Sequence, residues 1–109
     1  MKEHCSSLLY KYFSAVGLSY IEDKEAFILY KQEGATLQIH DVYSESGVKS
    51  ILDLRQKLID RYRPIFLEGY VDKKYVNKER SKNLMEMDGF KYDRETEDYI
   101  YYIKKVKYE

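Results

Sequence analysis

Cysteine, histidine and proline are scarce in this chain of 109 residues, and each scarcity excludes something. Cys5 is the only cysteine, so no disulfide can form within the chain. With only His4 and His40 to add, far apart in sequence, the spacing of a zinc cluster is absent. Cys5 sits at helical spacing among apolar neighbours and reads as a small core residue. No apolar run approaches the ~20 residues that span a bilayer. The opening Met1-Lys2-Glu3-His4-Cys5 turns polar too soon for a signal peptide, so a cytoplasmic location is the default expectation. Charge of one sign is also missing. Nineteen basic and nineteen acidic side chains cancel, which argues against broad electrostatic capture of nucleic acid.

What is present is patterning fit for one globular domain, residues 1–109. Hydrophobic residues make up 44% of the chain and charged residues 35%. Cys5, Leu8, Leu9, Tyr12, Phe13 and Val16 recur on one face of a helix that Gly17 can stop. Ala26 to Tyr30 reads as a strand, Gln32 to Ala35 as a hairpin turn, and Thr36 to Tyr43 as the returning strand. Val48, Ile51, Leu52, Leu58, Ile59 and Tyr62 form the clearest helical stripe, with Arg55 interrupting it. Ser44 or Ser46 can cap its start, and the single proline, Pro64, marks its exit. Ile65 to Val71 reads as a buried strand. A strand, a helix and a strand joined by short loops predict a right-handed crossover with the two strands parallel.

Asn77 is a plausible N-cap for a short helix turning Ser81, Leu84 and Met85 inward. Gly89 ends it in the left-handed conformation open to glycine. Phe90 then starts a final hairpin that turns at Asp93 to Asp98 and returns from Tyr99 to Val106. The element order is α-β-β-α-β-α-β-β, an α/β (α+β) mixed sheet covered by helices. Thirteen tyrosines stand out, a residue suited to strands and to contact surfaces. The return strand Tyr99-Ile100-Tyr101-Tyr102-Ile103 reads either as a core strand with one half-exposed face or as a sheet edge. An edge would suit a homodimer or docking onto a protein partner. The basic residues and tyrosines between Tyr70 and Lys82 read as a solvated loop and helix face.

From about residue 25 to 106, this order resembles a shortened GNAT N-acetyltransferase domain. Leu37 to Tyr43 matches the family's bulged strand and Ile65 to Val71 its parallel neighbour. Asn77, Ser81, Leu84-Met85 and Gly89-Phe90 match its closing segment. The resemblance implies that the two strands part, here near Tyr43 and Tyr70, and that acetyl-CoA enters between them to acetylate an amine substrate. It implies cofactor contacts from the backbone of Val42, Tyr43 and Ser44, from the amides of Gly47 and Val48, and from Asn77. His40 and Asp41 become the candidate catalytic bases, with Glu68 across the gap. Strict strand alternation allows only one of His40 and Asp41 to face the cleft.

Two departures from the family pattern stand in the sequence. The loop Ser44-Glu45-Ser46-Gly47-Val48-Lys49 is short, with one glycine where the family's pyrophosphate loop has two small residues. Met85 stands where many members carry a proton-donating tyrosine, leaving Tyr70, Tyr75 and Tyr92 as substitutes. The alternative class is a protein-binding module on this scaffold without cofactor chemistry, such as an accessory protein of a phage or mobile element.

Overall fold

The structure is a computed structural model that describes residues 17–108. Six strands form one sheet: β1 (Ser19–Glu22), β2 (Ala26–Glu33), β3 (Thr36–Ser44), β4 (Phe66–Asp72), β5 (Lys91–Glu95) and β6 (Tyr99–Lys105). Two helices, α1 (Val48–Tyr62) and α2 (Lys78–Met87), interrupt them. The sheet order is β1-β2-β3-β4-β6-β5. Among the described residues the β3–β4 pair is parallel and the other pairs are antiparallel. The mixed sheet and the crossover through α1 match the expectation from sequence. The helix expected over Cys5 to Val16 lies outside the described residues.

Strand β1 was not anticipated, because four residues are too few to establish a period. Its hairpin is fixed by Asp23, whose carboxylate accepts the N–H groups of Glu25 and Ala26, each at 2.8 Å. The hydrogen bond from Glu25, outweighing the cost of burial, holds the Asp23 carboxyl below its ordinary value. At the next hairpin Gly34 takes φ 57, the left-handed region that lets β2 turn tightly into β3.

Both helices lie on one face of the sheet, where Leu54, Leu58 and Ile59 of α1 form one core with Ile28, Leu37, Leu67, Val71 and Tyr102. Ile51, Tyr62 and, from α2, Met85 pack around it. Each large apolar side chain buried there stabilises the fold by about 1.5–3 kcal/mol relative to exposure. Val48 and Leu52, expected on this stripe, are exposed instead. The buried stripe runs through Leu54 and Leu58, which leaves Val48 and Leu52 to one side at the helical period. Leu84 is likewise exposed rather than inward, while Ser81 and Met85 are half-buried. The Tyr30 hydroxyl lies 2.9 Å from that of Tyr62 and joins β2 to α1. Burial, then this hydrogen bond, pushes the Tyr30 phenol up to about 12.

Three ends meet at one carboxylate. Asp88, just past α2, accepts Arg55 of α1 at 2.5 Å and Lys104 of β6 at 3.1 Å. Arg55 therefore interrupts the apolar stripe to make an ion pair. Strand β6 is interior, between β4 and β5. The core-strand reading of Tyr99 to Ile103 is borne out, and the edge reading is corrected. The edge on this side is β5, exposed along its whole length and rich in charge, a composition that discourages pairing with another chain. No helix among the described residues is long and apolar enough to cross a membrane.

Candidate functional site at the parted strands

The parallel ladder between β3 and β4 is short. It joins Thr36 to Phe66, Leu37 to Leu67 and Gln38 to Glu68, and there it stops. Both strands continue, β3 to Ser44 and β4 to Asp72, each bonded only to its outer neighbour. The parting begins at Ile39 and Gly69, earlier on β3 than the expected place near Tyr43. A bulge explains the difference. Leu29 of β2 opposes Asp41 while Tyr30 opposes Ile39, so His40 is an extra residue that bends β3 away.

The bulge also corrects the alternation argument. Asp41 opposes Leu29 while Ile39 and Tyr30 pack toward the helices, so Asp41 falls on the face opposite the helices. The His40 ring meets Tyr70 on that same face, edge-on at 5.8 Å between centroids. Both candidate bases thus share one face, but only His40 enters the cavity beside the parting. Asp41 is exposed, with its carboxylate accepting its own neighbour's N–H, that of Val42, at 2.9 Å.

That cavity holds about 320 Å³. Its polar floor is Glu68, only 9% exposed, with His40 beside it and Tyr70, Tyr99 and Tyr101 as walls. Tyr70 meets Tyr99 edge-on at 5.0 Å, and its hydroxyl donates to the His40 carbonyl at 2.9 Å across the parting. Arg94 reaches in from β5. Its Nη2 lies 3.2 Å from Glu68 Oε1, and its guanidinium carbon lies 4.2 Å above the Tyr101 ring. Burial, then the charge of Lys31, lowers the His40 imidazole below its ordinary value, so it is neutral at pH 7. Its Nε2 is buried and has no hydrogen-bond partner among the described residues.

The remaining expected contacts cluster on the loop after β3 and at the start of α2. Val42 and Tyr43 are exposed, and Ser44 is half-buried. Ser44 does not cap α1 directly. Its Oγ accepts the N–H groups of Ser46 at 3.1 Å and Gly47 at 2.9 Å, closing a tight turn before the helix. Gly47 takes φ 112 as the N-cap, and no side chain caps the helix behind it. The Gly47 amide is therefore engaged within the loop, whereas Val48 begins an uncapped helix. Asn77 precedes α2 and is exposed, and its side chain makes no capping bond. Met85 presses on β4 from the helix face. A Cβ on Gly69 would lie 2.7 Å from its terminal methyl, so glycine allows this approach. Of the substitute tyrosines, Tyr70 alone lines the cavity. Tyr75 and Tyr92 are exposed, and the Tyr92 hydroxyl donates to Glu95.

Sequence reading missed Arg94, Tyr99 and Tyr101 as site residues. Arg94 carried no periodic signal, because a second bulge aims it. Tyr92 opposes Tyr102 while Arg94 opposes Tyr101, so Asp93 is the extra residue. Without that bulge, Arg94 would point to the other face.

A sheet of this order with two central parallel strands that part beyond a bulge is the GNAT N-acetyltransferase fold. The similar solved structures include the N-acetyltransferase PseH of Campylobacter jejuni in complex with acetyl coenzyme A. That match has a TM-score of 0.66 and 18% identity over 96% of this chain and 79% of that one. The PaiA N-acetyltransferase of Thermoplasma acidophilum, in complex with coenzyme A, matches with a TM-score of 0.64 and 14% identity over 95% and 70%. The ribosomal-protein-S18-alanine N-acetyltransferase of Escherichia coli matches with a TM-score of 0.63 and 12% identity over 100% and 92%. No protein-family profile and no curated protein matches the chain in sequence.

Proposed function

We propose that this chain transfers an acetyl group from acetyl-CoA to an amine. The observation that carries the reading is the parting of β3 from β4 directly beside a cavity floored by a buried carboxylate. Two of the similar structures hold acetyl-CoA or CoA, which supports the choice of cofactor. When bound, acetyl-CoA supplies the acyl group as an activated thioester.

The backbone of Val42, Tyr43 and Ser44 holds the pantetheine arm by amide pairing, the Val42 amide once it releases the Asp41 carboxylate, because β3 has left its ladder with β4 there. Val48 offers its amide to the pyrophosphate from the uncapped start of α1. Gly47 adds a second amide once it releases the Ser44 hydroxyl. Asn77 contacts the arm from the start of α2. An acceptor amine is protonated at neutral pH and must lose that proton before it attacks. His40, neutral and beside the parting, takes it, with Glu68 as the adjoining carboxylate. Asp41 at the exposed rim attracts the cationic acceptor.

The test is thermal melting with acetyl-CoA. A ligand at a hundred times its Kd stabilises the folded state by about 2.7 kcal/mol, which raises the Tm by several degrees. No rise at millimolar acetyl-CoA would sink the reading. One observation favours a protein-binding module in that event. The Gly47 amide and the His40 carbonyl are both satisfied within the chain.

A further inference from the structure

Among the described residues, Arg94 is the one permanent cation lining the cavity, and it belongs to the chain itself. It makes two contacts there, one with the Glu68 carboxylate and one with the face of the Tyr101 ring. Those are the two contacts that recognise an organic cation, charge pairing and attraction to an aromatic face. Tyr70 and Tyr99 extend the aromatic wall. His40 is neutral and does not repel a cation. The Arg94 side chain is half exposed and also holds Asp93 at 2.6 Å, so it can swing outward without losing every partner. Glu68 has no such freedom. A buried carboxylate deprived of its cation is costly, so something positive must replace Arg94 when it leaves.

We propose that the cavity is a recognition pocket for a primary alkylammonium group, and that Arg94 occupies it until the ligand displaces it. A guanidinium serves as the stand-in and not as the acceptor, because delocalisation leaves its nitrogens weakly nucleophilic. The ligand is an unbranched alkyl amine. About 320 Å³ lies at the small end of the roughly 300–1,000 Å³ typical of ligand clefts, and the tyrosine walls suit a methylene chain. Naming this acceptor class deepens the acetyl-transfer reading and rests on it for the step after binding. The binding step itself needs no cofactor.

The test is a titration of the free protein, followed by NMR amide shifts, with n-butylammonium, Nα-acetyl-lysine methylamide and spermidine. The neutral control is Nα-acetyl-norleucine methylamide. Saturable shifts at β4 and β6 from the amines and none from the control are expected. A preference for the lysine derivative identifies a peptide acceptor, and a preference for spermidine a polyamine. Arg94→Gln removes the competitor and should tighten amine binding by up to about fivefold, the range expected for a partly exposed ion pair. Tyr101→Leu and Glu68→Gln should each weaken it at least ~tenfold. Equal or weaker binding to the Arg94→Gln protein would overturn the proposal, because Arg94 would then be part of the pocket and not its occupant. So would equal binding of the neutral control. An acetyl-CoA melting shift without amine binding would leave acetyl transfer standing and remove this pocket. Amine binding without the melting shift would do the reverse.

Discussion

Strands β3, β4 and β6 carry two unlike environments back to back. Toward the helices they present Leu37, Leu67, Gly69, Val71 and Tyr102, which close into a dry core. Away from the helices, the residues between these are Gln38, Glu68, Tyr70 and Tyr101, and they line a polar cavity. The period of two separates a surface that stabilises from a surface that binds, within single strands. The core face is filled mostly by aliphatic side chains, and its Tyr30 and Tyr62 hydroxyls pair with each other. The cavity face holds a carboxylate, an imidazole and a guanidinium whose partners are specific and in part exchangeable. Damage to the first face should appear as lost stability, and damage to the second as lost chemistry.

The largest break in that comparison is Leu58→Ala. Leu58 is fully buried between α1 and the sheet, and its truncation should cost about 2–5 kcal/mol in a urea titration. A loss below ~1 kcal/mol would mean that the helix face is not the stabilising one.

Glu68→Gln is the converse. It keeps the shape of the cavity and removes its buried charge. The acetyl-transfer rate to an amine should fall by about 100-fold to 10,000-fold, while the melting temperature changes little. Unchanged transfer would exclude Glu68 from proton handling.

Asp88→Asn tests the join at the end of α2. Burial works against ionisation of Asp88, but Arg55 and Lys104 outweigh it and lower its pKa below 3.8. A lowered carboxyl adds stability above the unfolded value and loses it as pH falls through the folded one. Allowing for solvent screening, the variant should lose ~1 kcal/mol near pH 7 and less below pH 3.8. Equal losses at both pH values would rule out the charge as the cause.

Tyr70→Phe is the finest probe, because it deletes only the hydroxyl that crosses the parting. A net loss of about 0.5–1.5 kcal/mol is expected in urea. Acetyl-CoA should bind no more weakly, since the His40 carbonyl is then unoccupied. Weaker cofactor binding would show that the bridge holds the parting open.

Much of the architecture was legible in the residues, because hydrophobic period and chain breakers act locally. Ala26 and Ile28 announced a buried strand, Leu54 and Leu58 a buried helix face, and Pro64 and Gly89 the ends of α1 and α2. The departure from a normal pyrophosphate loop was also written in Ser44 to Lys49, and the engaged Gly47 amide is its structural counterpart. Strand β1 escaped notice, and the residues left β6 open between core and edge, because strand order depends on partners distant in sequence.

For the site, the sequence alone settled which side chains were on offer: a histidine in β3, a glutamate in β4 and an excess of tyrosine. Only the tertiary structure settled which of them meet. Two extra residues, His40 and Asp93, shift the register of β3 and β5 and turn His40 and Arg94 toward one cavity. A bulge arises from pairing between strands, and a single strand's pattern does not encode it.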